Sequence, residues 1–369
     1  MQPLSVFFKT LTLFLLVLIY STSIHAQVFP GNDWETKDPA ELGLDAAKLQ
    51  NAISYLAEHA GSDSSKELVI VKNGYLLWKG ENADHVHSVW SVAKTFTSTI
   101  LGLLIQDGKC TLETHASEYV TSLDAYYAQV TLEHFANMTS GYRAIGDDPQ
   151  GGYKHGPSMM PFSPDPYPLF DPGTHFAYWD SAMNQFANVL KHISDTSLDQ
   201  LFADRIAQPI GIADENWKWG KLPADDGDVV CGAGNHEQLK ISSLDLARFG
   251  LLFLNNGNWS GEQLVDESWV SQATQVQVPA DMPLSGYMEK GPGTYGYNWW
   301  INGTGPDGNK KWPDAPLDTY AASGFNNNDL FVIPSWNMVI VRLGLDENES
   351  KITDDIYNTF LGMIGKAAS

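Results

Sequence analysis

The chain has 369 residues, of which 43% are hydrophobic, and a formal charge of −22. That length supports a large core and predicts division into two lobes. A field of this sign excludes nucleic acid and anionic membrane surfaces as partners, and its acidic residues are dispersed, as on a solvated surface rather than in a tail.

Residues 1–26 read as a secretory signal. Lys9 supplies the charged region, Leu11 to Tyr20 the apolar run, and Ser23-Ile24-His25-Ala26 a small-residue cleavage site before Gln27. The apolar run is short for a membrane span, although a retained anchor is the alternative. The expectation is an exported protein, periplasmic or secreted, off the membrane once the signal is removed. About 340 residues remain.

Thr36 to Gly61 carries a helical pattern in Leu42, Leu44, Ala47, Leu49, Ile53 and Leu56. Leu68-Val69-Ile70-Val71, a Lys72-Asn73-Gly74 turn and Tyr75-Leu76-Leu77-Trp78 predict a hairpin, since Asn-Gly suits a type I′ turn. Next comes Asp84-His85-Val86-His87, the most metal-like cluster in the chain. Two histidines at i and i+2 suit a strand or loop, but no HExxH and no third clustered ligand accompanies them, so no metal is expected. Cys110 and Cys231 are too few for a disulfide framework, and whether they meet is open.

Ser91-Val92-Ala93-Lys94 opens a largely apolar helical run through Ile105, with Gly108 placed to end it. Ser91 and Lys94 share one helix face at i and i+3. A serine hydroxyl needs a base, and a lysine held neutral by burial can be one. A serine at a helix start also has free backbone N–H groups beside it for a developing oxyanion. An ordinary solvent-facing pair is the bland alternative, but a solvated lysine has little reason to enter a run almost devoid of charge.

From Thr114 to about Pro223 the pattern is helical and loop-rich. Thr131-Leu132-Glu133-His134 to Thr139-Ser140-Gly141 predicts a short capped helix and a glycine turn, and 146–172 a long surface loop. Asp180 to Ile193, Ser197 to Ile206 and Ile241 to Leu254 predict helices. Strand signals return at Tyr295 to Ile301, Leu330 to Ile333 and Met338 to Leu343, and Ile352 to Ile364 predicts a closing helix. The layout is α+β: an antiparallel sheet flanked by helices, from about 27–90 and 240–369, with an inserted helical lobe over about 91–239.

Two further clusters stand out. Pro172-Gly173-Thr174 leads to Tyr178-Trp179-Asp180, where a phenol before a helix can relay protons, although alone it reads better as a packed aromatic. Ala322-Ser323-Gly324-Phe325 precedes the final hairpin, and small residues there let backbone approach a ligand. In this order the three clusters, with Asp245-Leu246-Ala247-Arg248-Phe249, resemble the penicillin-recognising serine hydrolases. That family takes in class C β-lactamases, D-alanyl-D-alanine carboxypeptidases, esterases and 6-aminohexanoate-dimer hydrolases. The likeness spans nearly the whole mature chain.

The resemblance implies a β-lactamase/transpeptidase-like fold and an acyl-enzyme mechanism without metal or organic cofactor. Ser91 would attack, Lys94 and Tyr178 would move protons, and the backbone N–H groups of Ser91 and Phe325 would hold the oxyanion. Trp179, Asp180, Ala322, Ser323 and Gly324 would line the substrate site. Two positions depart from the family. Its Tyr-x-Asn reads Tyr178-Trp179-Asp180, and an ionised Asp180 would stabilise the Lys94 ammonium, making it a poorer base but a firmer electrostatic partner for a Tyr178 phenolate. Its Lys-Thr-Gly or His-x-Gly reads Ala322-Ser323-Gly324, without a cation.

A small-molecule ester or amide is therefore the expected substrate, with weak or no β-lactamase activity. Trp90, Tyr178, Trp179, Phe325, Tyr153 and Tyr167 favour apolar or aromatic groups. Arg143 is the residue placed to supply the missing cation. A true β-lactamase or D-alanyl-D-alanine carboxypeptidase is the first alternative, and a non-catalytic binding protein of the same fold the second. Carbohydrate binding through the tryptophans has no acid-pair motif behind it.

Overall fold

The computed structural model describes residues 27–148, 160–224, 227–230, 232, 239–285, 290–345 and 352–368. The signal-like segment, Tyr153 and Cys231 lie outside the described residues. The hairpin forms where expected: β1 (Glu67–Lys72) and β2 (Tyr75–Lys79) are joined through Asn73 and Gly74, both left-handed at φ 54° and 83°. Two consecutive positive φ values are what a type I′ turn requires.

The main sheet takes β1 and β2 from the early chain. Its other strands are β6 (Trp300–Ile301), β7 (Tyr320–Gly324), β8 (Asn328–Ile333) and β9 (Met338–Leu343), in the order β6-β7-β8-β9-β1-β2. Each pairing is antiparallel. Every residue of β8 and β9 is buried, so these strands read as continuous apolar runs rather than alternating ones. A second, small sheet joins β3 (His87–Ser88), β4 (Trp217–Lys218) and β5 (Lys240–Ile241), with β5 central.

The longer helices are α1 (Ala46–His59), α2 (Ala93–Gln106), α3 (Asp180–Ile193), α4 (Ser243–Leu254) and α5 (Asp354–Ala367). The first and last pack on each other, while α4 lies across β1, β8 and β9. Residues Ala93 to Leu104 of α2 are all buried, the polar Lys94, Thr95, Thr97, Ser98 and Thr99 among them. Its hydroxyls are satisfied inside: Thr95 donates to Asn298 O at 3.0 Å and Ser98 to Tyr297 O at 2.7 Å. These bonds pin α2 to the segment before β6. The fold is thus α+β, an antiparallel sheet with helices.

Three expectations change. The run Tyr295 to Ile301 is a strand only at Trp300–Ile301, because Asn298 turns left-handed at φ 60° and folds Tyr295 back against Trp300. The helix expected over 197–206 ends at Phe202 and widens into a π turn, Ala203–Ala207. The region 114–223, read as poor in strands, contributes β4 and the first strand of a hairpin, Lys221–Ala224 with Gly227–Val230.

Candidate active site

A short 3₁₀ turn, Trp90–Val92, carries Ser91 into the start of α2. Trp90 is left-handed at φ 53°. That conformation costs a side-chain-bearing residue roughly 1–3 kcal/mol, and such strain gathers where a reactive group must be presented at one angle. Lys94, one turn on, donates from Nζ to Ser91 Oγ at 2.7 Å. The same Nζ lies 2.6 Å from Asp180 Oδ1, with both side chains 1% exposed.

The expected base is therefore buried, but it is not buried alone. Asp180 is the first residue of α3 and supplies the compensating charge inside the protein. Among the described residues neither carboxylate oxygen accepts a hydrogen bond, so the ion pair with Lys94 is what compensates its charge. The departure from the family's asparagine thus changes the electrostatics at the nucleophile itself.

Tyr178 is buried, hydrogen-bonded to Ser91 and 4.6 Å from Lys94 Nζ by ring centroid. Burial pushes its phenol well above the usual range, and the charge of Asp180 pushes it further, against the Ser91 hydrogen bond. These causes favour the neutral phenol over the phenolate that the sequence reading set beside Lys94. Tyr178 stacks on Trp300 at 5.9 Å and meets Tyr295 edge-on at 6.2 Å. Sequence reading assigned these last two only to a strand; the left-handed Asn298 between them is what folds both against Tyr178.

The third cluster reaches the nucleophile through its backbone. A Cβ at Gly324 would lie 2.2 Å from Val89 O and 3.1 Å from Ser91 N, so only glycine lets β7 come this close. Phe325 follows, 45% exposed, and meets Trp90 edge-on at 5.2 Å. Ala322 is buried and offers no polar atom. The Ser323 hydroxyl is hydrogen-bonded to Asp329, its cross-strand partner, whose carboxyl burial pushes up to about 6.

Trp179 turns its indole N–H to Asp147 Oδ2 at 2.8 Å, and Ser181 donates to Asp147 Oδ1 at 2.7 Å. Asp147 also accepts from Ala144 N at 2.8 Å, so it ties the loop after Gly141 to the start of α3. Nothing in the local pattern marks this residue, since its side-chain partners Trp179 and Ser181 lie over 30 positions away. Arg143 is held within that loop, donating to Asp147 O at 3.4 Å and lying 3.8 Å from Asp165 Oδ2. Tyr167 is exposed. Cys110 is buried and pairs with no other cysteine among the described residues.

A beta-lactamase family model matches residues 67–349. The chain belongs to the beta-lactamase family. An uncharacterised protein of Alkalihalophilus pseudofirmus is 19% identical over 266 residues, 69% of this chain and 72% of that one. Among solved structures, a putative 6-aminohexanoate-dimer hydrolase from Bacillus anthracis superposes with a TM-score of 0.64 at 20% identity, covering 89% of this chain and 86% of its own. A family VIII carboxylesterase superposes with a TM-score of 0.60 at 16% identity, covering 87% and 97%. At such identities the superpositions establish the fold. Membership of the beta-lactamase family makes this a serine hydrolase kind of enzyme, with hydrolase and esterase folds among its neighbours.

Proposed function

We propose that this protein hydrolyses an ester or amide through an acyl-enzyme on Ser91, with esterase- or amidase-like preference and weak or no β-lactamase activity. The observation that carries the reading is the sealed chain Ser91 Oγ–Lys94 Nζ–Asp180 Oδ1, with steps of 2.7 and 2.6 Å.

A lysine that already donates to the serine can take its proton only by passing one on, and Asp180 is in reach to receive it. As Ser91 Oγ bonds to the carbonyl carbon, its proton moves to Lys94 Nζ and one Nζ proton moves to Asp180 Oδ1. The charge gathers on the former carbonyl oxygen, at the N–H of Ser91 and the edge formed by Gly324 and Phe325. Tyr178, neutral and bonded to Ser91, then gives its phenolic proton to the leaving oxygen or nitrogen as that bond breaks. Lys94 restores the phenol and Asp180 returns its proton to Lys94. Water attacks the acyl-enzyme by the same route in reverse, and Ser91 regains its proton.

The substrate class follows from the charges. Ala322 supplies no cation, Arg143 is engaged with Asp165 and the loop, and Lys311, 4.6 Å over the Trp300 ring, is paired with Asp354 at 3.0 Å. Losing a charge-assisted contact to a substrate carboxylate forfeits roughly 1.5–3 kcal/mol. Trp90, Tyr178, Trp300 and Phe325 instead favour an apolar or aromatic group. The names of the carboxylesterase and the 6-aminohexanoate-dimer hydrolase point to ester and amide bonds. The signal-like start supports export, and among the described residues no helix is long and apolar enough to cross a membrane.

The deciding experiment compares wild type and Ser91→Ala on a short p-nitrophenyl ester, short amides and nitrocefin, with mass spectrometry of a fluorophosphonate adduct. An adduct on Ser91 and a larger kcat/KM for the ester than for nitrocefin are expected. An adduct on any other residue, or a preference for nitrocefin, overturns the reading.

A further inference from the structure

The histidine pair that lacked a third ligand in the sequence acquires one in the fold. Glu67 opens β1, eighteen positions before His85, and its carboxylate is 4% exposed. Its Oε1 lies 3.1 Å from His85 Nδ1 and its Oε2 2.6 Å from His87 Nε2. The donor atoms of all three side chains lie within 4.8 Å of one another. We propose that Glu67, His85 and His87 form a zinc site.

Chemistry at His87 argues for a cation among these groups. Its Nδ1 is 2.9 Å from Ser88 O, a carbonyl that can only accept, so Nδ1 carries a proton. That leaves Nε2 of the neutral ring as a lone pair aimed at a buried carboxylate oxygen, two acceptors face to face. A cation relieves the repulsion: at 2.6 Å, hydrogen-bond distance, it is a proton, which a metal ion would displace on binding. A ring held through Nδ1–H to a backbone carbonyl, with Nε2 presented inward, is how a ligating imidazole is usually oriented.

His85 adds the second argument. Its side chain is 53% exposed, so it could leave its needs to water, yet Nδ1 is turned inward to Glu67. Two imidazoles and one carboxylate suit zinc, whose bonds of about 2.0–2.2 Å place tetrahedral donors roughly 3.3–3.5 Å apart. The separations of 3.1 and 2.6 Å are hydrogen-bond distances shorter than that spacing, so an entering ion must draw both pairs apart, the buried His87–Glu67 pair the further, while the exposed ring of His85 can move without repacking the core. The open side lies toward His85 and solvent, where water would complete the shell.

Position makes the site more than decorative. Glu67 is anchored at β1 opposite Leu343, and Ser243 donates to its backbone carbonyl at 2.6 Å. His87 stands in β3 against Ile241, four residues before the nucleophile. An ion here would tie the main sheet to the segment that delivers Ser91.

The test is titration of the dialysed full-length protein with zinc chloride, followed by calorimetry, and with cobalt(II) followed by its visible absorption. One zinc per chain at micromolar concentration, a tetrahedral cobalt band, and a tenfold or greater loss of zinc affinity in His85→Ala are expected. His85 is exposed, so that variant keeps its fold, which circular dichroism verifies. A wild-type protein that takes up no zinc at micromolar concentration, or a His85→Ala variant that binds it as tightly, overturns the proposal.

Discussion

Gly324 presses its backbone against the nucleophile: a side-chain carbon there would stand 3.1 Å from Ser91 N and 2.2 Å from Val89 O. Its φ of −132° is open to any residue, so the constraint is space rather than backbone conformation. Gly324→Ala must push β7 away from the turn holding Ser91. Overpacking of this kind costs about 1–3 kcal/mol, and an N–H moved away from the oxyanion costs about 10²–10³ in kcat. The expected result is a folded variant with kcat on a p-nitrophenyl ester down at least tenfold. Native kcat would separate this strand edge from oxyanion binding.

The Lys94–Asp180 pair predicts a stability effect as well as a rate effect. Breaking a buried ion pair by removing one partner leaves the other charge uncompensated and costs about 3–5 kcal/mol. Asp180→Asn should lose an amount of that order in urea denaturation. It should also lose most of kcat, since Lys94 then has no internal acceptor for its proton. A variant within about 1 kcal/mol of wild type would show that Asp180 does not carry the charge balance of the site.

The parts of the site legible beforehand were those written in local pattern. Ser91 and Lys94 announce themselves by spacing at the start of an apolar helix, and the hairpin by Asn73-Gly74. The α+β layout followed from strand signals at both ends of the chain. What could not be read depends on contacts between distant segments. The role of Asp147 rests on Trp179 and Ser181, over 30 residues away. Glu67 joins His85 only when β1 has paired in the sheet. The neutrality of Tyr178 is set by burial and by Asp180, and the placing of Trp300 by the turn at Asn298. Asp147 and Glu67 leave no mark within a window of a dozen residues; Asp180 and Asn298 stand two positions from Tyr178 and Trp300, but their effect emerges only once Lys94 and Tyr178 pack against them.

The neutral Tyr178 makes a prediction about leaving groups. Tyr178→Phe keeps the ring on Trp300 but removes the proton given to the departing atom. General acid catalysis contributes about 10²–10⁴ in rate where the leaving group needs a proton. An alkyl ester or amide should therefore lose kcat far more than a p-nitrophenyl ester, whose leaving group departs unprotonated. Equal losses on both substrates would assign Tyr178 to serine activation or packing instead of acid catalysis.

Asp329 predicts how stability changes with pH. Burial raises its carboxyl from 3.8 to about 6, opposed by hydrogen bonds from Ser323 and Tyr357 and the charge of Arg342, and reinforced by Asp354. Between about pH 4 and 6 the folded state therefore holds a proton at Asp329 that the unfolded chain has released. Stability must fall as pH rises through that window, and the loss is complete above the folded value. At about 1.4 kcal/mol for each pH unit, the whole effect is about 3 kcal/mol. Asp329→Asn lacks this titration while keeping a similar shape, so its stability relative to wild type should improve by up to that amount between pH 4 and pH 7. Parallel urea denaturation series at the two pH values measure it. A constant difference would mean that Asp329 is already ionised at pH 4, with Arg342 and Tyr357 balancing its charge.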